Sequence, residues 1–334
     1  MKRQRLFPWR ILILAIGLAS TFSCSASNTS TADGSLDGGA SPDSGNSVHC
    51  QTPEVVASAQ AAPSLVAADD QGVYWSNDLS HEIFYLPNGS TQPVLLTTEP
   101  ELVSDLRTGD DGLYWLVGGS PRQLRSVPRT GGTPRVVAEV SQSARTLALD
   151  PSWAYWLDTP AGEISRTLRD GTGQPTLIVG GLQSAVSFAV DDQAVYYSST
   201  ADGTVRTVRL QDGSTSILAS AQEEPEFVQV DVDYVYWAAG LDVMRIDKTG
   251  GSPQHLATVP AGTWDNVFDG IALDDTHVYL TLSNTGNVVR VPKLGGPAET
   301  IATGQASPYG IAVNDTGVYW ANNDNGTVMR CPFP

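Results

Sequence analysis

GVYWSN (72–77) and GVYWAN (317–322) spell nearly the same six residues 245 positions apart. The tyrosine at their centre returns throughout the interval between them. Aligned copies fall at Tyr74, Tyr114, Tyr155, Tyr196, Tyr236, Tyr279 and Tyr319, spaced by 40, 41, 41, 40, 43 and 40 residues. Tryptophan follows in five copies (Trp75, Trp115, Trp156, Trp237 and Trp320), and Tyr197 or Leu280 in the other two. Seven copies at one period describe a repeat architecture, in which each unit buries its apolar faces only against its neighbours.

The copy GIALDDTHVYLTLSNTGNVVRVPKLGGPAETIATG (270–304) shows the unit. It divides into four β-like pieces, 270–273, 277–282, 288–292 and 299–302, separated by turn residues at 274–275, 284–287 and 295–296. No helical period of useful length occurs after residue 50. The prediction is an all-β, seven-bladed β-propeller with four-stranded antiparallel blades. The last copy stops after three pieces. Its missing fourth is found at the front, where residues 54–63 match residues 299–308. The N-terminal strand is therefore predicted to be the outer strand of the seventh blade, beside residues 328–331.

The leader carries Lys2, Arg3, Arg5 and Arg10, followed by an apolar run over 11–19. That run is too short to span a bilayer stably and reads as the core of a secretory signal peptide, residues 1–23. Residues 24–49 are rich in Ser, Gly and Asp with little to bury, and are expected to form a disordered tether. The propeller is assigned to 50–334. The whole chain has a formal net charge of −17. Without the leader's four basic residues, 15 Lys and Arg face 36 Asp and Glu, a net of −21. Phosphates repel such a surface, so nucleic acid is excluded as a partner.

Thr21-Phe22-Ser23-Cys24 resembles a bacterial lipobox, which implies lipidation at Cys24 and a lipid-anchored place in the cell envelope, on the periplasmic side or the cell surface. Ordinary cleavage nearby, for example after Ala26, is the alternative. With Cys24 so used, Cys50 and Cys331 remain. In repeat register they fall at the positions of Gly295 and Val291, four residues apart across one hairpin and within reach of a disulfide. A clasp over about 280 residues is worth roughly 5–6 kcal/mol in the chain-entropy account. Two free thiols are the competing reading.

The repeat, with its Gly-Gly hairpins at 129–132, 248–251 and 293–296, resembles the YWTD propellers of lipoprotein receptors and the secreted bacterial propellers related to them. The resemblance implies the propeller architecture, and the expected role is that of a binding or scaffolding module without catalysis, with no resident cofactor and as a monomer. Residues shared by the copies are expected to be structural. Asp69, Asp150, Asp191, Asp231 and Asp274 fit turn capping. Arg166, Arg245, Arg290 and Arg330 are expected to pair with acidic neighbours.

Function is sought where the copies differ. Ten residues before each tyrosine the chain reads Ser64, Ser104, Arg145, Val186, Glu226, Asp269 and Tyr309. Next to this row stand Asp105 and Arg107, and the longest connection carries Trp264 and Asp265. These residues are expected at the mouth of the central channel. Glu226, Asp269 and Asp105 can hold a cation such as Ca or Zn, Arg145 and Arg107 can meet an anion, and Trp264 and Tyr309 can stack on a sugar or aromatic group. The expected ligand is a protein or carbohydrate. Solvated loop ends and interblade ion pairs are the alternative. Related propellers also include metal-dependent lactonases, for which Glu226 and Asp269 are the plausible equivalents. His49, His81, His255 and His277 share no metal-ligand spacing. Neither a nucleophile elbow nor a nucleotide-binding loop is found.

Overall fold

The computed structural model describes residues 52–129, 131–260 and 268–333. The expectations for the signal peptide, the tether, Cys24, Cys50, Trp264 and Asp265 lie outside these residues. Among the described residues there are 28 strands and no helix.

β1 (Glu54–Ala57) precedes the first complete blade. Blade 1 is β2 (Pro63–Ala68), β3 (Gly72–Asn77), β4 (Glu82–Pro87) and β5 (Val94–Thr98). Blade 2 is β6 (Val103–Gly109), β7 (Gly112–Val117), β8 (Arg122–Pro128) and β9 (Arg135–Val140). Blade 3 is β10 (Ala144–Leu149), β11 (Trp153–Asp158), β12 (Glu163–Leu168) and β13 (Thr176–Val179). Blade 4 is β14 (Ala185–Val190), β15 (Ala194–Ser199), β16 (Thr204–Arg209) and β17 (Thr215–Ala219). Blade 5 is β18 (Pro225–Val230), β19 (Tyr234–Ala239), β20 (Asp242–Asp247) and β21 (Gln254–Thr258). Blade 6 is β22 (Gly270–Leu273), β23 (His277–Leu282), β24 (Asn287–Pro292) and β25 (Glu299–Ala302). Blade 7 is β26 (Pro308–Asn314), β27 (Gly317–Asn322) and β28 (Thr327–Pro332), completed by β1.

Each blade is an antiparallel meander ordered from first strand to fourth, and in blade 7 the order is β26, β27, β28, β1. The first strands β2, β6, β10, β14, β18, β22 and β26 each pack against the first strands on either side, the last against β2 again. They line the centre, and the ring is closed. The fold is a seven-bladed β-propeller.

The recurring aromatic pair is explained by strand alternation, which sends successive side chains to opposite faces of a sheet. The tyrosines occupy the second strand of every blade and point to the following blade, while the residue after each points to the preceding one. Tyr114, for example, packs with Leu147 and Ala154 of blade 3, and Trp115 with Ala67 and Ile83 of blade 1. The apolar core is thus seven layers, one in each gap between blades. Second strands are buried over their whole length in β3, β7, β15 and β27. Each buried aromatic contributes a few kcal/mol by burial before entropy is counted.

At the seam, β1 pairs with β28 through Glu54 with Arg330 and Val55 with Met329. Its burial pattern is that of β25, the equivalent strand of blade 6. Chain ends meet again where Gln60 N–H donates to Gly326 O at 2.9 Å and Asn314 Nδ2 to Asp69 O at 2.8 Å. Inner strands approach so closely here that a Cβ on Gly310 would lie 2.4 Å from Ser64 O, so only glycine fits. Cys331 is fully buried on β28.

Candidate functional site

Alternating strand direction gives the ring two faces. The turns from first to second and from third to fourth strand share one, called here the turn face. The turns from second to third strand, and the connections between blades, share the loop face.

The turn face is built from repeated parts. Asp231 Oδ1 accepts the N–H groups of Asp233 (3.0 Å) and Tyr234 (2.8 Å), capping the turn, and Oδ2 accepts the Tyr236 hydroxyl at 2.7 Å. Lys293 of blade 6 closes on the same carboxylate at 2.8 Å and lies 5.0 Å from the centre of the Tyr236 ring. The unit returns as Asp191, Tyr196 and Lys248 between blades 4 and 5. A variant joins Asp111, Tyr114 and Arg169 between blades 2 and 3. Asp150 and Asp274 cap their turns and hold Tyr155 and Tyr279 in the same way. Blade 7 carries the neutral Asn314 in this place, capping Thr316 N–H. These shared aspartates act as caps and interblade links.

Burial alone would raise the Asp231 carboxyl, but Lys293, the backbone N–H groups and the Tyr236 hydroxyl outweigh it and hold its pKa at about 2. A carboxyl depressed in the folded state contributes stability above its unfolded pKa of about 3.9, lost as pH falls through the folded value. Lys293 is buried but the Asp231 carboxylate is partly exposed and screened by solvent, so the expected cost of Lys293→Met at pH 7 is about 1 kcal/mol. Urea unfolding should show that cost shrinking between about pH 4 and pH 2; a cost that stays constant through that window would refute the link.

The third-strand arginines divide. Arg290 pairs with Glu299 at 2.6 Å and Arg330 with Glu54 at 3.5 Å, as expected from the sequence. Arg166 instead covers the Trp153 ring at 4.1 Å, and Arg245 the Tyr234 ring at 4.2 Å. In both, an aromatic residue opens the neighbouring second strand and offers a π face to the guanidinium.

On the loop face, a glutamine in three interblade connections ties adjacent blades. Gln60, Gln222 and Gln305 donate their backbone N–H to Gly326, Gly203 and Gly286 of the preceding blade. Their side-chain oxygens accept the indole N–H of Trp75 (2.8 Å), Trp237 (3.1 Å) and Trp320 (3.0 Å) of the following blade. Gln60 and Gln305 were visible in the matched segments 54–63 and 299–308, but their tie to a tryptophan fifteen residues on required the folded geometry. In blade 2 Glu99 stands near this place. It is buried and bonded to Arg125 at 2.5 Å, and Trp115 Nε1 has no partner.

The row ten residues before each tyrosine lies at the loop-face end of the inner strands, or just before it at Asp269. Asp105 is not presented to the channel: its carboxylate is buried, accepting the N–H groups of Leu106 (2.8 Å) and of Leu147 in blade 3 (2.7 Å). Arg107 lies 3.1 Å from that carboxylate and donates to Leu147 O at 3.0 Å. Burial raises the Asp105 carboxyl, opposed by Arg107 and the two N–H groups. Ser187 is the equivalent in blade 4, accepting Val228 N–H at 2.8 Å. Glu226 is the second residue of β18, opposite Ala238. Asp269 accepts Ser283 N–H at 2.7 Å. Tyr309 is 43% exposed and its carbonyl accepts the Thr281 hydroxyl. Arg145 is exposed on β10.

Asp105 therefore does not fit a metal set with Glu226 and Asp269. Its oxygens are occupied, and its blade stands three places round the ring from each of theirs. Among the described residues, no group of three or more His, Cys, Asp or Glu side chains is arranged to hold a metal ion. Sequence reading missed Arg122 at the start of β8. It is 7% exposed, reaches across the end of β7, and donates from Nη1 to Ser104 Oγ and to Ala144 O of blade 3, each at 2.7 Å.

No protein-family model and no curated protein sequence matches the chain. Solved structures do. A streptogramin B lyase superposes with a TM-score of 0.70 at 13% identity, covering 84% of this chain and 97% of that one. A virginiamycin B lyase from Staphylococcus aureus gives 0.70 at 12% identity, covering 85% and 99%. A chain of a nidogen–laminin complex gives 0.52 at 16% identity, covering 63% and 86%. At these identities the likeness is one of fold, the β-propeller, shared by enzymes and by a component of a protein complex.

Proposed function

We propose that the protein is an exported, lipid-anchored propeller that works as a non-catalytic binding or scaffolding module, taking a protein or carbohydrate ligand at the loop-face mouth of its channel. One observation carries the reading. The residues common to the blades are consumed by caps, interblade bonds and buried layers, whereas the variable row Ser64, Ser104, Arg145, Val186, Glu226, Asp269 and Tyr309 lies at the loop-face end of the inner strands, Asp105 beside it being turned inward. The lipobox-like Cys24 and the polar tether supply the anchor, and a Cys50–Cys331 bridge fastens the ring. The YWTD-like repeat supports kinship with binding propellers.

The test is retention of envelope proteins and glycans on the immobilised domain, residues 50–334. Combined Glu226→Gln, Asp269→Asn and Tyr309→Ala substitutions should reduce retention at least tenfold, with Lys293→Met neutral. Retention that follows Lys293→Met and ignores the rim would overturn the assignment. For the anchor, Cys24→Ala should abolish fatty-acid labelling and move the protein out of the membrane fraction. Labelling that survives the substitution would exclude Cys24 as the anchor.

The streptogramin B lyase on the same scaffold motivates a second reading, catalysis at the same mouth, of the lactonase or lyase kind. Turnover of a lactone or of quinupristin, abolished by Glu226→Gln or Asp269→Asn, would establish it over the binding role.

A further inference from the structure

We infer that Arg122, Arg145 and the Ser104 hydroxyl form a seat for an oxyanion group, a carboxylate or phosphate of a small ligand, at the loop-face junction of blades 2 and 3. This deepens the reading of the loop face as the ligand surface and rests on it.

Arg122 is more than nine-tenths buried, yet both of its bonds go to neutral oxygens, Ser104 Oγ and Ala144 O. Among the described residues, no carboxylate lies within ion-pair distance of Arg122 or Arg145. Two acids of the same sheet region are placed otherwise: Asp105 is turned to Arg107 and the Leu147 N–H, and Glu101, against Gly118 in the adjoining turn, is exposed. The buried arginines elsewhere have acids, Arg169 with Asp110 and Asp111 and Arg290 with Glu299. A desolvated guanidinium without a counter-charge is costly, and a fold that keeps one leaves a place for an external anion.

The next positive charge is beside it. Arg145 follows directly on Ala144, whose carbonyl Arg122 grips, and the inner strand bulges between Ala144 and Thr146 at that point. Burial, with the Arg145 charge second, lowers the Arg122 pKa to about 10. An anion placed between the two would relieve both effects. The donors needed are free to serve it. Nε of Arg125, Arg166, Arg169 and Arg330 is walled in without a partner, but no nitrogen of Arg122 is. Its Nε and Nη2, which have no protein partner, therefore remain reachable. Ser104 Oγ accepts from Arg122 and keeps its own proton to donate. A guanidinium fork and a hydroxyl in contact, with a second guanidinium one residue beyond the carbonyl that the first grips, suit the oxygens of a carboxylate or phosphate. In a chain of net charge −17, such a paired positive site binds by local geometry against the overall field.

The experiment titrates inorganic phosphate and, separately, acetate into residues 50–334 at constant ionic strength, reading heat and Tm. Binding of at least one is expected, with the stronger naming the oxyanion class. Arg145→Gln, at an exposed position that leaves folding untouched, should weaken binding at least tenfold. Arg122→Gln should abolish it and raise the Tm of the anion-free protein, because a buried uncompensated charge is gone. Glu226→Gln should leave anion binding unchanged, so loss of macromolecular retention in that variant is a separate result. No binding of either anion by the unaltered domain, or equal binding by Arg145→Gln, would overturn the seat while leaving the rim reading standing.

Discussion

A chain that begins at Gln60, and so lacks β1, is expected to lose the cooperative unfolding of the whole ring. Blade 7 would keep three strands, and β28 would expose Met329 and Arg330 along an unpaired edge. The layer between blades 7 and 1 would lose Ala57 and the packed Val56. The loss does not stay local, because a closed ring shares its stability between neighbouring interfaces and an opened one has two unprotected ends. Thermal unfolding should fall by more than about 15 °C, or split into separate transitions, and the free edge should recruit a second copy. A circular permutant carrying residues 50–59 after Pro334 restores the four-stranded blade without the original closure, and should recover the single transition. If it did not, the strand would have some role other than completing the blade. Reductant added to the intact chain isolates the proposed Cys50–Cys331 contribution, up to roughly 5–6 kcal/mol in the chain-entropy account.

This closure was legible in the sequence because it rests on spacing. The match of 54–63 to 299–308 predicts that β1 sits where β25 sits, and the two strands bury the same positions. Strand limits in the copy 270–304 differ from the structure by one residue, at Asn287. Both signals are local and repeated, so seven copies average out the noise of any one. The rim is another matter. Asp105 and Arg107 stood out as departures from the repeat, yet departure does not say whether a side chain faces solvent or a neighbouring blade. Asp105 turned inward because the next inner strand offers an N–H at Leu147, a contact 42 residues away that no periodicity encodes. Arg122 opens β8 just after a turn whose length varies between copies, so it has no fixed register to draw attention to it. The third-strand arginines split for a similar reason: whether an acid or an aromatic ring lies alongside is decided by a neighbouring strand.

The second large effect is expected at Trp320. Its side chain is completely buried and packs with Tyr279, Val288 and Ile311 in the layer between blades 6 and 7. Trp320→Ala should cost about 3–5 kcal/mol, the loss of transfer energy plus a cavity that the rigid sheets on either side cannot close. In a domain of this size that is a fall in Tm of roughly 6–12 °C. A sharper comparison uses phenylalanine. Trp320→Phe removes the indole N–H that Gln305 accepts at 3.0 Å and leaves that half-buried oxygen with Asn322 Nδ2 alone. Trp115→Phe removes an indole N–H that is buried and has no partner, so the change in volume is similar but no bond is lost. A buried donor without an acceptor is itself a cost to the folded state. Trp320→Phe should therefore be the more destabilising of the two by about 1 kcal/mol in urea unfolding. Equal costs would mean that packing alone sets the value of the aromatic row, and that the glutamine connections add nothing to the hold of one blade on the next.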